Sequence, residues 1–194
     1  MKNKLSVLFA LCLMIFFAQS AKAQYEKGDI LINPGISIGG YGYYNYGLYS
    51  NSGGFLPLTI NAEYSINDMF SVGGYAGYYS RTYKYSNDYK DRWTALSIGA
   101  RGTLHASGLL NDQLDLNINE EKLDIYASLL LGFETYSWKV DEKWGGSNYY
   151  NNGSRVFPGL TFGARYFFTP KFGGYLELGR NAFGYLNLGV SFKL

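Results

Sequence analysis

Apolar residues recur at every second position in segment after segment of this chain. Near the C-terminus Leu186, Leu188, Val190, Phe192 and Leu194 fall on one side, with Asn187, Gly189, Ser191 and Lys193 on the other. Successive side chains of a strand point to opposite faces, so this pattern predicts a strand with two unlike faces. The same alternation runs through 58–66, 96–104, 124–134 and 159–168. Weaker versions at 30–41, 70–79 and 172–179 bring the expected number to eight strands.

The connections alternate as well. Asn67-Asp68-Met69 and Thr169-Pro170-Lys171 read as tight turns, and the hairpins around them repeat one chemistry, each followed by Phe and then Gly-Gly-Tyr. In contrast, Gly42–Phe55, Arg81–Arg92 and Ser137–Arg155 are long, polar and rich in Tyr, Asn and Ser, and are expected to be loops. Two links depart from this rhythm. The one around Arg180–Gly184 is short. The one at His105–Lys122 falls on the tight-turn side yet holds 18 residues. There Ser107 is positioned as an N-cap and Leu109, Leu110 and Leu114 stand at helical spacing, which predicts a short helix across that end of the sheet.

Composition supports strands over helices: 25 Gly and 20 Tyr among 194 residues suit a pleated surface and weaken a helix. The N-terminus stands apart. Lys2 and Lys4 precede an apolar stretch from Leu5 to Phe17, and Ala21-Lys22-Ala23 forms a small-x-small site. That is the layout of a cleavable secretory signal over 1–23, leaving 24–194 as one domain. The stretch is too short to cross about 30 Å of hydrocarbon as a helical anchor. The single cysteine, Cys12, lies inside it behind Leu11, so the mature chain is expected to hold no cysteine and no disulfide. Removing Lys2, Lys4 and Lys22 from 17 basic residues leaves 14 against 15 acidic ones, a net of −1. Nothing in that balance suits nucleic acid.

The two faces differ in a telling direction. One is almost purely Leu, Ile, Val, Ala and Phe; the other carries Gly, Ser, Thr, Asn, Tyr and charges. A soluble lipocalin-like barrel or sandwich turns its apolar side inward, and an exported protein showing this much apolar surface to water would aggregate. A closed barrel in lipid satisfies every backbone group and leaves no edge. The expected fold is therefore all-β: an eight-stranded antiparallel transmembrane β-barrel, wound as an up-and-down meander. Tyr64, Phe70, Tyr166, Phe168, Phe172 and Phe192 fall on the apolar face near the tight turns, where an aromatic girdle belongs.

With its signal, eight strands, alternating short and long links and the ending Asn187-Leu188-Gly189-Val190-Ser191-Phe192-Lys193-Leu194, the chain resembles the small outer-membrane β-barrel proteins of the OmpX/OmpA-barrel type, within the porin-family outer membrane proteins of Gram-negative cell envelopes. The resemblance covers the whole mature chain. It implies an assembly signal at Asn187, Gly189, Phe192 and Leu194, recognised by the barrel assembly machinery. The terminal residue is Leu where such proteins usually carry Phe. It also implies insertion in outer-membrane lipid with both chain ends in the periplasm and the Tyr-rich connections outside the cell.

Candidate chemistry is sparse. His105 is the only histidine, and His105-Ala106-Ser107 has the look of the His-x-Ser pair of lipid A deacylase barrels. The expected topology delivers it to the periplasmic side, away from outer-leaflet lipid, so it reads as a solvated turn residue. One His and no mature Cys do not make a zinc site, no calcium-loop pattern is present, and Gly39-Gly40-Tyr41-Gly42 lacks the Lys-Ser/Thr of a phosphate cradle. No cofactor or metal is expected, and no catalytic residue is assigned. Mid-strand Glu63, Arg101, Glu134, Arg165 and Glu177 all fall on the inward face of five strands, which predicts a charge cluster in the lumen with Arg101 and Arg165 bridged by carboxylates. Arg165 and Glu177 flank the 169–171 turn as near-diagonal neighbours.

The long connections hold the rings that could bind: Tyr43, Tyr44, Tyr46, Tyr49, Tyr83, Tyr85, Tyr89, Trp138, Trp144, Tyr149 and Tyr150. Tyr and Trp supply contact area at low entropic cost, suiting an extracellular glycan or protein ligand. Alternatively the strands extend past the membrane and these rings cover one another or sit at headgroup level. Function then divides between a non-enzymatic barrel used for surface binding or envelope integrity, a narrow pore for ions or small solutes, and, third, a lipid-modifying enzyme. Eight strands leave an interior that side chains fill, which argues against a porin-sized channel.

Overall fold

The computed structural model describes residues 25–40, 52–86, 89–139 and 150–194. The expected signal segment 1–23 lies outside them. The elements are β1 (Ile30–Gly40), β2 (Ser52–Gly54), β3 (Leu58–Ser65), β4 (Phe70–Ser86), β5 (Tyr89–His105), α1 (Ser107–Leu114), β6 (Leu123–Lys139), β7 (Tyr150–Thr169), β8 (Phe172–Gly179) and β9 (Gly184–Lys193). β2 and β3 both pair with β4 and form two pieces of one barrel strand. Every pairing is antiparallel and joins sequence neighbours. β1 then pairs with β9, from Leu31 opposite Lys193 to Gly40 opposite Gly184, and the meander closes as an eight-stranded barrel.

Alternation sets the two faces. Leu129, Leu131, Val156 and Phe162 are 60–68% exposed on the outside. Between them, Ser128, Leu130, Phe157 and Thr161 are buried within. An exterior of aliphatic side chains around a polar and charged interior reverses the arrangement of a water-soluble barrel and matches one solvated by lipid. At the tight-turn end Tyr166, Phe168, Phe172 and Phe192 form a continuous chain of rings with centroids 5.4–5.9 Å apart.

The abundance of Tyr and Gly has a packing cause. Inward-pointing Tyr rings lie flat across glycines of the neighbouring strands. Tyr126 is paired with Gly163, Tyr136 with Gly153, and Tyr175 with Gly189, which is itself opposite Gly35. Tyr75 is opposite Gly99, and Gly99 is opposite Gly132. A Cβ built at Gly132, Gly163, Gly153 or Gly35 would overlap the ring or hydroxyl of the Tyr that covers it. A narrow lumen holds a large ring only where the strand beside it offers no side chain.

Local turn chemistry repeats as its sequence does. Asn67 Oδ1 accepts the N–H groups of Met69 and Phe70, at 2.9 and 2.8 Å. Thr169 Oγ1 does the same for Lys171 and Phe172, at 3.4 and 3.1 Å. Such side-chain brackets favour a tight reversal.

Three expectations need correction. The connections Arg81–Arg92 and Ser137–Arg155 are mostly strand, because β4 and β5 pair up to Ser86 and Tyr89 and β6 and β7 up to Lys139 and Tyr150. Both faces of these upper segments are polar, so no alternation betrayed them. Arg155 is accordingly a β7 residue and not a loop residue. Third, the helix exists as α1, but its N-cap is Ala106. The Ser107 hydroxyl instead donates to the Leu123 carbonyl at 2.9 Å and accepts the Ile125 N–H at 2.7 Å, tying the helix start to β6.

Candidate functional site

The lumen is built in layers from the tight-turn end upward. The chain enters through a turn at 26–29 that needs Gly28 in the left-handed region, φ +104. Gly28 N donates to Ser65 O, and the turn leaves Tyr25 under the barrel mouth. The Tyr25 ring lies against His105, centroids 4.1 Å apart, and meets Phe167 edge-on at 6.2 Å. Its hydroxyl donates to Asp124 Oδ2 at 2.7 Å and accepts from Arg165 Nη1. Burial pushes the Tyr25 phenol well above its ordinary range, so it serves as a donor.

Above this floor sits a network of two guanidiniums and three carboxylates. Arg165 reaches Asp124 at 2.9 Å and Glu63 at 3.5 Å. Arg101 reaches Glu177 at 2.5 Å and Glu63 at 3.4 Å, spanning Gly73 of the intervening strand. None of the five is more than 3% exposed. The remaining carboxylate acceptors are filled by neutral donors: Ser71, Thr103 and Asn33 on Glu63, and Tyr126 and Asn181 on Glu177. The Arg165 guanidinium also lies over the Tyr126 ring at 4.6 Å. Charges this deep persist only when paired and hydrogen-bonded.

Of the inward charges read from the sequence, the structure brings Glu63, Arg101, Arg165 and Glu177 together. Arg165 stands opposite Tyr175, which leaves Glu177 its diagonal neighbour as expected, while the ion pair to Glu177 is made by Arg101. Glu134 stands apart and higher, buried and 3.1 Å from Arg155. Asp124 and Tyr25 belong to the network and were missed. Asp124 was visible as an inward position at a strand end. Tyr25 lies outside every strand and gave no signal.

His105 is also a correction: it is 5% exposed, not solvated. Its Nδ1 lies 3.0 Å from Asp124 and its Nε2 lies 3.1 Å from Ser71 Oγ. That order matches a Ser–His–Asp relay, but access decides its use. Ser71 is 1% exposed and its hydroxyl also reaches Glu63. The small cavity at the barrel mouth, about 80 Å³, touches His105, Asp124 and Tyr25 but not Ser71. The relay works as wiring of the floor.

A third layer lies above the charges. Tyr75, Tyr79, Trp93, Leu130, Phe157 and Phe183 form a buried cluster. Phe183 and Ala182, both 0% exposed, come from the link between β8 and β9, which folds into the lumen instead of outward. Phe183 occupies the space a side chain at Gly77 would need, and Asn181 ties the link to Glu177 at 3.1 Å. Trp93 stacks on Tyr136 at 5.2 Å and meets Trp138 edge-on at 5.3 Å.

The ring-bearing connections are described only in part. Trp138 is half-buried on β6 within this layer. Tyr83 and Tyr85 fall on β4, Tyr89 on β5 and Tyr150 on β7, with their side chains outside the described residues. Tyr43, Tyr44, Tyr46, Tyr49, Trp144 and Tyr149 lie wholly outside them. Of the terminal motif, Asn187 is buried and accepts from Ser37, Gly189 lies under Tyr175, Phe192 packs on Phe172 outside, and Leu194 exchanges backbone bonds with Ile30.

Comparison with known proteins bears on this architecture. No curated protein sequence matches the chain. Among solved structures it is similar to Ail, the attachment invasion locus protein of Yersinia pestis, at 15% identity over 86% of this chain and 95% of that one, TM-score 0.46. It is similar to neisserial surface protein A at 19% identity over 86% and 94%, TM-score 0.47. It is also similar to OprG from Pseudomonas aeruginosa at 11% identity over 90% and 99%, TM-score 0.48. The family model described as outer membrane protein beta-barrel domain matches residues 9–192, nearly the whole length, and the chain belongs to that family.

Proposed function

We propose that this protein is a closed, non-enzymatic outer-membrane barrel whose lumen is a structural plug and whose outward hairpins make its contacts. The occluded interior carries this reading. Paired charges fill the lower lumen, and the inward-folded 180–183 link with its aromatic neighbours fills the upper one. Among the described residues, side chains packed in this way leave no open path for a solute.

The tight turns and α1 share one end with Tyr25 and Leu194, which supports one orientation. That end faces the periplasm in our reading, after removal of 1–23 and insertion by the assembly machinery through the Asn187–Leu194 ending. The extended β4–β5 and β6–β7 hairpins then stand outside the cell and offer a Tyr-rich surface to a glycan or protein. Planar-bilayer recording tests the plug: the wild-type barrel stays silent, and stable multi-level openings would replace this reading with a narrow pore. Protease treatment of intact cells tests the orientation, with cleavage expected within 140–149 and none within 107–122.

A further inference from the structure

We propose that α1 and the turn after it form a lipid-inserted foot, with Leu109, Leu114 and Leu116 seated in the membrane leaflet at the tight-turn end of the barrel. Within α1 the one fully buried residue is polar, and three leucines of the segment stand exposed beside Asp112, Gln113, Asp115 and Asn117. Ser107 is the buried residue of α1, while Leu109 is 37% and Leu114 61% exposed. Leu116, just beyond the helix, is 52% exposed.

The attachments to the barrel are polar. Ser107 bonds to β6 on both sides of Asp124. Asn111 folds the following turn back on the helix, donating to Ile118 O at 2.8 Å and Glu120 Oε1 at 2.6 Å and accepting Ile118 N–H at 2.6 Å. Asp115 adopts the left-handed region, φ 53, and its N–H closes the helix on Asn111 O. The exposed leucines therefore sit on a fixed scaffold. In water such a scaffold would turn leucine inward and asparagine outward.

Continuity with the lipid-facing band identifies the occupant. Leu109 shares the mouth cavity with Met69, which is 37% exposed and adjoins Phe70 of the girdle. Phe70 is paired with Leu104, one residue before β5 ends. The apolar band thus runs from the barrel wall through Met69 as far as Leu109, at the rim of a mouth cavity that Asp68, Glu120 and Asp124 also line. Exposed leucine gains by leaving water, and the boundary of headgroups and acyl chains beside the barrel wall is where this segment can do so. Which leaflet this is rests on the orientation proposed above; contact with lipid does not.

The test uses spin labels. The full chain has one cysteine, so Cys12→Ser permits single labels at Leu114→Cys, Leu116→Cys and Asp112→Cys, with Leu131→Cys as a lipid-facing reference. In vesicles of phosphatidylethanolamine and phosphatidylglycerol, collision with dissolved oxygen should exceed collision with a water-soluble nickel chelate at 114 and 116, as at 131. The order should reverse at 112. Equal chelate access at 112, 114 and 116 would overturn the proposal, and so would low access of both reagents at 114, which would mean that protein covers the site. A label at 131 open to the chelate would instead refute membrane insertion of the barrel itself. Protease cleavage within 107–122 on intact cells, with oxygen still favoured at 114, would reverse the orientation and leave the foot standing.

Discussion

Replacing Arg165 with leucine removes the guanidinium that ties β7 to three other parts of the floor. Asp124 loses its 2.9 Å partner, Glu63 its second cation, and Tyr25 the donor to its hydroxyl. Breaking one side of a buried ion pair costs about 3–5 kcal/mol, mostly because a carboxylate stays behind in a low-dielectric site. Here Asp124 keeps Tyr25 and His105, and Glu63 keeps Arg101, Ser71 and Thr103, which holds the loss near the lower bound. A loss of about 3 kcal/mol lowers the folded-to-unfolded ratio roughly 100-fold. Arg155→Leu is the matched control. Its side chain is 36% exposed and already partly hydrated, so its pairing with the buried Glu134 is weaker than the fully buried contacts of Arg165, and a smaller loss than for Arg165→Leu is expected. Guanidinium unfolding of the barrel in lipid vesicles, followed by tryptophan emission, measures both. Adding Asp124→Leu to Arg165→Leu should recover part of the loss, since it removes the stranded carboxylate. Equal midpoints for Arg165→Leu and Arg155→Leu, or no recovery in the double variant, would refute the network as a source of stability.

Deleting Phe192–Leu194 removes the Leu194–Ile30 backbone bonds and half of the Phe172–Phe192 contact; the truncated chain is expected in the periplasm, protease-sensitive and without heat-modifiable migration on gels. Gly132→Ala places a methyl group in the Tyr75 hydroxyl and should destabilise by about 1–3 kcal/mol in the same unfolding assay, with partial rescue by Tyr75→Phe. The Tyr25 phenol is raised in the folded state, so its contribution to stability is fully present below an unfolded value of about 10 and is lost as pH rises above that. Tyr25→Phe should therefore flatten the alkaline fall of the unfolding midpoint; an unchanged fall would remove Tyr25 from the floor.

The inward and outward sides of 58–66, 96–104, 124–134 and 159–168 were legible because lipid outside and a narrow lumen inside impose opposite demands on alternate residues. Glu63, Arg101, Arg165 and Glu177 could be placed on one face for that reason, and the geometry joins them. Their pairing was less legible. It depends on strand register around a closed circuit, which sends Arg101 to Glu177 across the lumen from β5 to β8. Toward the ends of the long hairpins those demands leave no mark: β4 and β5 continue through Tyr83, Lys84, Tyr85 and Tyr89, a polar stretch of sequence in which nothing separated strand from loop. His105 was expected in water because strand ends usually are. Tyr25, a residue of no strand, covers it.

Tyrosines laid across glycines also constrain how such a barrel changes over generations. Neither Tyr126 nor Gly163 varies alone without overlap or a void, and the same holds for Tyr75 with Gly132 and Tyr136 with Gly153. The exterior needs only hydrophobicity, so Leu, Ile, Val and Phe exchange there with little consequence. Inheritance is thus expected to proceed by linked substitutions across neighbouring strands inside and by free drift outside. Two descendants of one ancestral barrel would come to share few residues while keeping the same ring-over-glycine joints, and those joints mark kinship where overall identity has faded.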